Sequence, residues 1–300
     1  MEIKLKDLNG IRYNEPMSEH TTFRCGGCAD MFFEPSSEEE LKSAYLTAKN
    51  EGVPVTVIGN GSNLLVRDGG IRGLVIRLGK KFSNITVKDN IIEAECGALM
   101  SAIANKALMY ELEGFEFAQG IPGSIGGGLY MNAGAYGGEL SHVVESAEYF
   151  KDGEFFSIKN KDMKLGYRES VFMENGGIVT KVIIALKKGN KENIMSLQED
   201  LKKRRSDKQP LEFASAGSTF KRPEGHFAGA LIEGAGLKGL SVGNAEVSTK
   251  HAGFIINRGG ATATDVLMLI EEVKEKVYEK YGVELHEEVR ILGEDKQIGD

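Results

Sequence analysis

The sequence predicts an α+β protein of two or three lobes, and three observations carry that expectation. A small βαβ unit near the N-terminus is followed by a block of strands and then by a helix-bearing C-terminal segment. Two dense glycine clusters interrupt these periodic stretches, and 300 residues exceed what a single hydrophobic core usually serves.

Asp30 to Glu34 reads as a strand, and Ser37 to Gly52 as a helix with a Ser37/Glu40 capping box and a glycine stop. The strand Val53 to Ile58 completes the βαβ unit and runs into Gly59-Asn60-Gly61-Ser62-Asn63, after which Leu64-Leu65-Val66 resumes as strand. A second lobe opens near Lys80 with strands over 84–95, an amphipathic helix from Met100 to Leu112, and a glycine-rich loop. Strands follow at 142–150, 154–159 and 177–187, the last strongly β-branched. Asn193 to Arg205 is a polar amphipathic helix, and Ser206 to Pro210 reads as a linker to a third lobe. That lobe holds a helix at Ala228 to Gly234 and a longer one from Thr262 to Tyr281, striped by Val266, Leu269, Ile270, Val273 and Val277. In the closing strand, Glu284 to Leu292, Leu285, Val289 and Ile291 alternate with His286, Glu288 and Arg290. The expected division is 1–79 joined by 284–300, then 80–205, then 206–283.

Composition narrows the function classes. A net charge of -7 argues against nucleic acid as main partner, although Lys202-Lys203-Arg204-Arg205 is a local basic run that also suits a solvated helix face. No apolar stretch approaches a membrane span, and the N-terminus lacks a signal-peptide core, so a cytoplasmic protein is the simplest expectation. Three cysteines, Cys25, Cys28 and Cys96, fit a reducing compartment. The Cys25/Cys28 pair has no second pair to complete a zinc site, and five scattered histidines offer no ligand spacing. No metal is expected.

Eight glycines fall between Gln119 and Gly138. Without Cβ atoms, such a run lets backbone amides converge on an anion or lie flat on a planar ligand, the alternative being a glycine-rich turn or bulged strand. The 59–63 loop joins strand to strand, so neither a Walker loop nor the dinucleotide fingerprint applies, since both feed a helix. Its amides, the Ser62 hydroxyl and the Asn60 and Asn63 side chains suit a bridging diphosphate. Ser218, between small neighbours, does not match a nucleophile elbow. Taken singly, Ser218, Arg168 and Glu288 are unremarkable.

Seven motifs change their weight. Thr22-Phe23-Arg24, Gly59 to Val66, Ile121 to Gly127, Met131 to Gly137, Tyr167-Arg168-Glu169-Ser170, Ser215 to Pro223 and Glu288-Val289-Arg290 stand in this order. The chain thereby resembles the UDP-N-acetylenolpyruvoylglucosamine reductase family from about residue 18 to 293. The resemblance implies an FAD-binding fold of the vanillyl-alcohol-oxidase and p-cresol-methylhydroxylase type in two subdomains, plus an α+β substrate-binding domain. It implies non-covalent FAD held by Gly59, Asn60, Gly61, Ser62, Asn63, Leu64, Gly120, Pro122, Gly123, Ser124, Ile125, Gly127, Asn132, Gly134 and Ala135. NADPH is the implied co-substrate, and the implied reaction reduces an enolpyruvyl ether of UDP-N-acetylglucosamine to UDP-N-acetylmuramate for peptidoglycan synthesis, and through it cell shape and division. Carried over by motif, Arg168 and Glu288 hold the substrate carboxylate and Ser218 donates a proton to C2. Tyr167, Lys208, Arg222 and Arg290 are the implied substrate contacts, with Lys208 also the candidate to restore the Ser218 proton. The short passage from Tyr167 to the 177–187 strand resembles the shorter class, which lacks an inserted tyrosine loop, and a monomer is expected. An FAD-dependent alcohol or sugar oxidase of the same superfamily is the alternative, and a non-catalytic nucleotide-sugar sensor is a third.

Overall fold

Ser37 starts the first helix, α1 (Glu38–Asn50), by accepting the Glu40 N–H at 3.3 Å in the computed structural model, which describes residues 4–296. Only half of the expected capping box forms. The Glu40 carboxylate instead accepts the N–H and hydroxyl of Ser36, at 2.7 and 2.8 Å. α1 buries Leu41, Ala44, Thr47 and Ala48, and Gly52 then turns the chain at φ +67°. Two compact units are formed, the first from residues up to Arg12, Phe32–Asn60 and Leu74–Arg205, the second from Tyr13–Met31, Gly61–Gly73 and Ser206 onward.

In the first unit, Val55–Ile58 runs parallel to Leu74–Arg77, Val55 opposite Leu74. Val55–Ile58 thus pairs in parallel with a strand later in the chain, which the βαβ unit read from sequence did not include. A second sheet is antiparallel, in the order Glu154–Lys159, Val144–Lys151, Ile178–Ala185, Ile91–Glu95, Ile85–Lys88. Against it pack α2 (Met100–Met109) and α3 (Ile125–Tyr130), burying Ile92, Ala94, Met100, Ile103, Ile125, Leu129, Val182 and Ile184 in one core.

Three expectations are corrected here. α2 stops at Met109, not Leu112, because Glu111 and Gly114 adopt positive φ (+55° and +111°) and Leu112 joins a two-residue strand. The glycine-rich stretch expected to be loop contains α3. Glycine costs a helix roughly 1 kcal/mol per residue, but here it permits close packing: a Cβ on Gly126 would stand 2.7 Å from Cys96 Cβ, and one on Gly128 2.8 Å from Met100 Sδ. α4 (Val171–Asn175) ends on Gly176 at φ +71°. The third correction concerns α5, which spans Lys191–Lys208, so Ser206 to Lys208 are helical, not linker. Pro210 sets the real limit, since the residue before proline avoids the α region.

The second unit packs α6 (Ala228–Gly234) and α7 (Ala263–Tyr281) with a sheet of Ser241–Val242, Ala245–Val247 and Ile255–Asn257. The stripe of Val266, Leu269, Ile270, Val273 and Val277 is buried as its spacing predicts. Thr262 and Asp265 form a full capping box for α7, and the Asp68 carboxylate accepts the N–H groups of Ala263 and Thr264 at 2.9 and 2.8 Å. The closing strand is shorter than expected. Only Arg290–Leu292 is regular strand, parallel to Leu64–Val66, although the alternation holds, with Leu285 and Val289 buried and His286 exposed. Residues 297–300 of the expected 284–300 segment, and residues 1–3, lie outside the described residues.

Candidate active site

The glycine-rich segment divides by what surrounds each residue. Gly126 and Gly128 are demanded by packing, as are Gly134 and Gly138, where a Cβ would meet Gly138 O and the Phe117 ring, each at 2.6 Å. Gly120 is closed by Arg205, whose Cδ would be 2.8 Å away. Tyr136 and Gly137, both at positive φ, turn the 134–139 hairpin. Gly127 is different. It is exposed, and the nearest atom to its missing Cβ is Ser124 Oγ at 3.6 Å. That hydroxyl is buried and has no hydrogen-bond partner among the described residues, while a Cβ on Gly59 would come within 2.6 Å of it. Gly59, Ser124 and Gly127 thus form a bare surface with one unsatisfied hydroxyl.

The amide side chains expected to be ligand donors are engaged within the protein. Asn60 Nδ2 donates to Pro122 O at 2.6 Å, which joins the 59–60 turn to the 120–124 segment. Asn63 Nδ2 donates to Glu288 O at 3.0 Å. Ile125 and Gly126 give their N–H groups to Ala98 O and Cys96 O, leaving the start of α3 little free backbone to offer an anion.

Arg168 lies in a tight turn whose ends, Gly166 and Glu169, exchange both backbone hydrogen bonds. It adopts φ +58°, a left-handed conformation that a non-glycine residue holds only when its surroundings impose it, and its guanidinium lies 5.2 Å from the Tyr167 ring centroid. The surroundings are specific. Buried Asn132, itself at φ +42°, donates to Gly166 O at 3.0 Å, and Ser170 Oγ donates to Tyr130 O at 2.7 Å. Asn132 therefore anchors this turn, a role its place in the glycine segment did not disclose.

In the second unit, Ser218 is exposed and sits on a backbone ladder. Thr219 N donates to Gly253 O at 2.9 Å, Ile255 N to Thr219 Oγ1 at 3.1 Å, and Glu288 N to Thr219 O at 2.8 Å. Arg290 N then donates to Asn63 O at 2.9 Å. Ser218, Glu288, Asn63 and Arg290 are thereby held in one stretch of paired main chain. Thr22 Oγ1 donates to Ser215 O at 2.6 Å and Asn257 Nδ2 to Phe23 O at 2.9 Å, which ties the Thr22-Phe23-Arg24 motif to the same region.

The remaining candidates divide. Arg222 is exposed, its guanidinium 4.6 Å from the Phe227 ring centroid. Lys208 is exposed at the end of α5, and its charge helps lower the pKa of His251, after burial, the largest cause. In the basic run, Arg204 pairs with Asp200 at 2.7 Å, whereas burial lowers the pKa of Arg205, which packs on Gly120. Cys25 is buried, and burial, reinforced by Asp68 and Asp265, pushes its thiol up to about 12, so it stays protonated and unreactive. Cys28 is exposed and free. Among the described residues no cluster of potential metal ligands occurs and no helix is long and apolar enough to cross a membrane.

The UDP-N-acetylenolpyruvoylglucosamine reductase of Clostridium kluyveri is 52% identical over 297 residues, 98% of this chain and 97% of that protein. The chain belongs to the UDP-N-acetylenolpyruvoylglucosamine reductase family. Its C-terminal domain model matches residues 209–292, and a model described as an FAD binding domain matches residues 29–158. The UDP-N-acetylenolpyruvoylglucosamine reductase of Clostridioides difficile is 50% identical over 286 residues, 95% of this chain and 94% of its own. The solved UDP-N-acetylenolpyruvylglucosamine reductase of Thermus caldophilus shares 37% identity at a TM-score of 0.81, covering 94% of this chain and 100% of that one. The fold is accordingly the FAD-binding type expected from the sequence, with an α+β C-terminal domain. FAD suits the residues present. A bare glycine surface beside an unsatisfied, buried Ser124 hydroxyl is what a dinucleotide lying along the backbone requires.

Proposed function

We propose that this chain is an NADPH-dependent flavoenzyme that reduces the enolpyruvyl ether of UDP-N-acetylglucosamine enolpyruvate to UDP-N-acetylmuramate, a cytoplasmic step of peptidoglycan precursor synthesis carried out by a monomer. Family membership supports the reaction, and the observation that most favours it is the cradle of Gly59, Ser124 and Gly127, where an unpartnered hydroxyl meets backbone bare of side chains. Gly59, Ser124 and Gly127 would hold FAD, with Asn60 fixing one loop to the other through Pro122 O. Bound FAD would accept hydride from NADPH and supply it to C3 of the enolpyruvyl group.

The residues of the chain handle the charge and the proton. Hydride at C3 leaves negative charge at C2, spread into the adjoining carboxylate, so a fixed cation and a proton donor are needed. Arg168 supplies the cation, its backbone already locked in the conformation that presents it. Ser218 supplies the proton to C2, its main chain fixed by the neighbouring Thr219 hydrogen bonds. Glu288, on the same ladder, orients the developing acid, Tyr167, Arg222 and Arg290 contact the nucleotide sugar, and Lys208 returns a proton to Ser218.

An anaerobic titration tests this reading. Purified holoprotein should bleach near 450 nm with NADPH and recover colour on adding UDP-N-acetylglucosamine enolpyruvate. Recovery with oxygen at catalytic rates but not with the enolpyruvyl substrate would reject it in favour of an oxidase.

A further inference from the structure

Glu139 was not singled out in the sequence, yet it occupies the centre of the polar cluster beneath the Arg168 turn. Asn132 Nδ2 donates to Glu139 Oε1 at 3.2 Å and, at 3.0 Å, to Gly166 O at the base of the turn. Asn132 Oδ1 accepts the Ser141 N–H at 2.9 Å, and the Ser141 hydroxyl donates to the same Glu139 oxygen. Each donor of the cluster is thus satisfied, and Asn132 is 1% exposed. A neutral glutamine could accept the same two hydrogen bonds through its carbonyl oxygen. The negative charge is therefore surplus to the hydrogen bonds of the cluster, and it stands, through Asn132, beside the turn that carries Arg168.

His142 Nε2 is 3.9 Å from Glu139 Oε1 on a largely exposed side chain, and the Arg168 guanidinium, on the turn that Asn132 braces, is a further basic group that lowers the Glu139 pKa. The Ser141 hydroxyl, then Asn132, His142 and Arg168, hold the Glu139 carboxyl below the usual carboxylate range against the opposing effect of burial, so the charge is present at neutral pH.

We propose that Glu139 is a positioning residue for Arg168: through Asn132 it braces the Gly166–Glu169 turn, and through its charge it holds the guanidinium oriented to receive a carboxylate-bearing ligand. The α3 helix makes the arrangement compact. Ser124 and Gly127 at its start belong to the cofactor cradle, while Tyr130 and Asn132 at its end grip Ser170 and Gly166 on either side of Arg168. The binding surface for the cofactor and the mounting of the substrate cation are built on one turn and a half of helix. The inference rests on the assignment of Arg168 to the substrate carboxylate.

Two ligands that differ in the carboxylate separate the possibilities. UDP-N-acetylmuramate carries it and UDP-N-acetylglucosamine does not, and their dissociation constants can be measured by calorimetry on oxidised, FAD-loaded protein whose flavin absorbance confirms the fold. Glu139→Gln should weaken UDP-N-acetylmuramate by about tenfold and UDP-N-acetylglucosamine by less than about twofold. In an Arg168→Ala background the same change should move neither ligand by more than about twofold, because its effect passes through Arg168. Equal weakening of both ligands, or an undiminished effect without Arg168, would overturn the proposal. So would unchanged binding in Glu139→Gln when Arg168→Ala weakens UDP-N-acetylmuramate. If Arg168→Ala itself spares UDP-N-acetylmuramate, the assignment of Arg168 fails, a result distinct from the failure of Glu139.

Discussion

Arg168 and Ser218 are mounted in opposite ways. The Arg168 turn is held from outside by side chains, with Asn132 on Gly166 O and Ser170 on Tyr130 O, and its backbone sits in the left-handed region. Ser218 is held by main chain, since its neighbour Thr219 pairs with Gly253 and Glu288 through N–H and C=O groups that only a proline would remove. The difference teaches where each function is vulnerable. The proposed cation can be displaced by mutating Asn132 or Ser170, whereas the proposed proton donor depends on a ladder indifferent to most side-chain changes.

Asn132→Ala should break the comparison on its weak side. It removes three hydrogen bonds from a buried position and places alanine at φ +42°, for a loss of about 3–5 kcal/mol in stability by chemical denaturation. Surviving protein should also show slowed flavin reoxidation by the enolpyruvyl substrate. Thr219→Val probes the other side more gently. It strips the Ile255 N–H of its acceptor, costing about 1–3 kcal/mol, but leaves the Thr219 backbone bonds to Gly253 and Glu288 in place, so reoxidation should stay within about threefold of normal.

The smallest effect is acid sensitivity. Glu139 has its pKa lowered in the folded chain, so its stabilisation is fully present above the unfolded carboxylate value of 4.5 and is lost as pH falls through its lower folded value. Glu139→Gln should therefore lose less melting temperature than the parent between neutral pH and pH about 3, by about 2 °C given its partial exposure. A parallel decline of both proteins would remove Glu139 from the acid response.

Elements governed by periodic burial were legible from the sequence. The α7 stripe and the alternation of Leu285 and Val289 follow from spacing alone. The glycine-rich stretch was legible only as a surface, because the same residue type serves close packing at Gly126 and Gly128, a hairpin turn at Gly137 and open backbone at Gly127, and only coordinates separate them. Asparagine has a use that spacing does not disclose. Asn60, Asn63 and Asn132 have donors a diphosphate needs, and each also gives an amide hydrogen bond to a protein carbonyl from a distant part of the chain. Glu139 carried no signal in a single sequence, since its meaning comes from Asn132, seven residues earlier, and from the turn 34 residues beyond Asn132. The helical extension of α5 to Lys208 went unseen because polar residues before Pro210 suit a loop as well as an exposed helix end.

The central claim is that Ser218 delivers the proton, and stopped-flow measurement of the two half-reactions in Ser218→Ala tests it most directly. Flavin reduction by NADPH should remain near the parent rate, while reoxidation by UDP-N-acetylglucosamine enolpyruvate should slow by about a hundredfold or more. Equal loss in both half-reactions, or none in the second, would contradict the account.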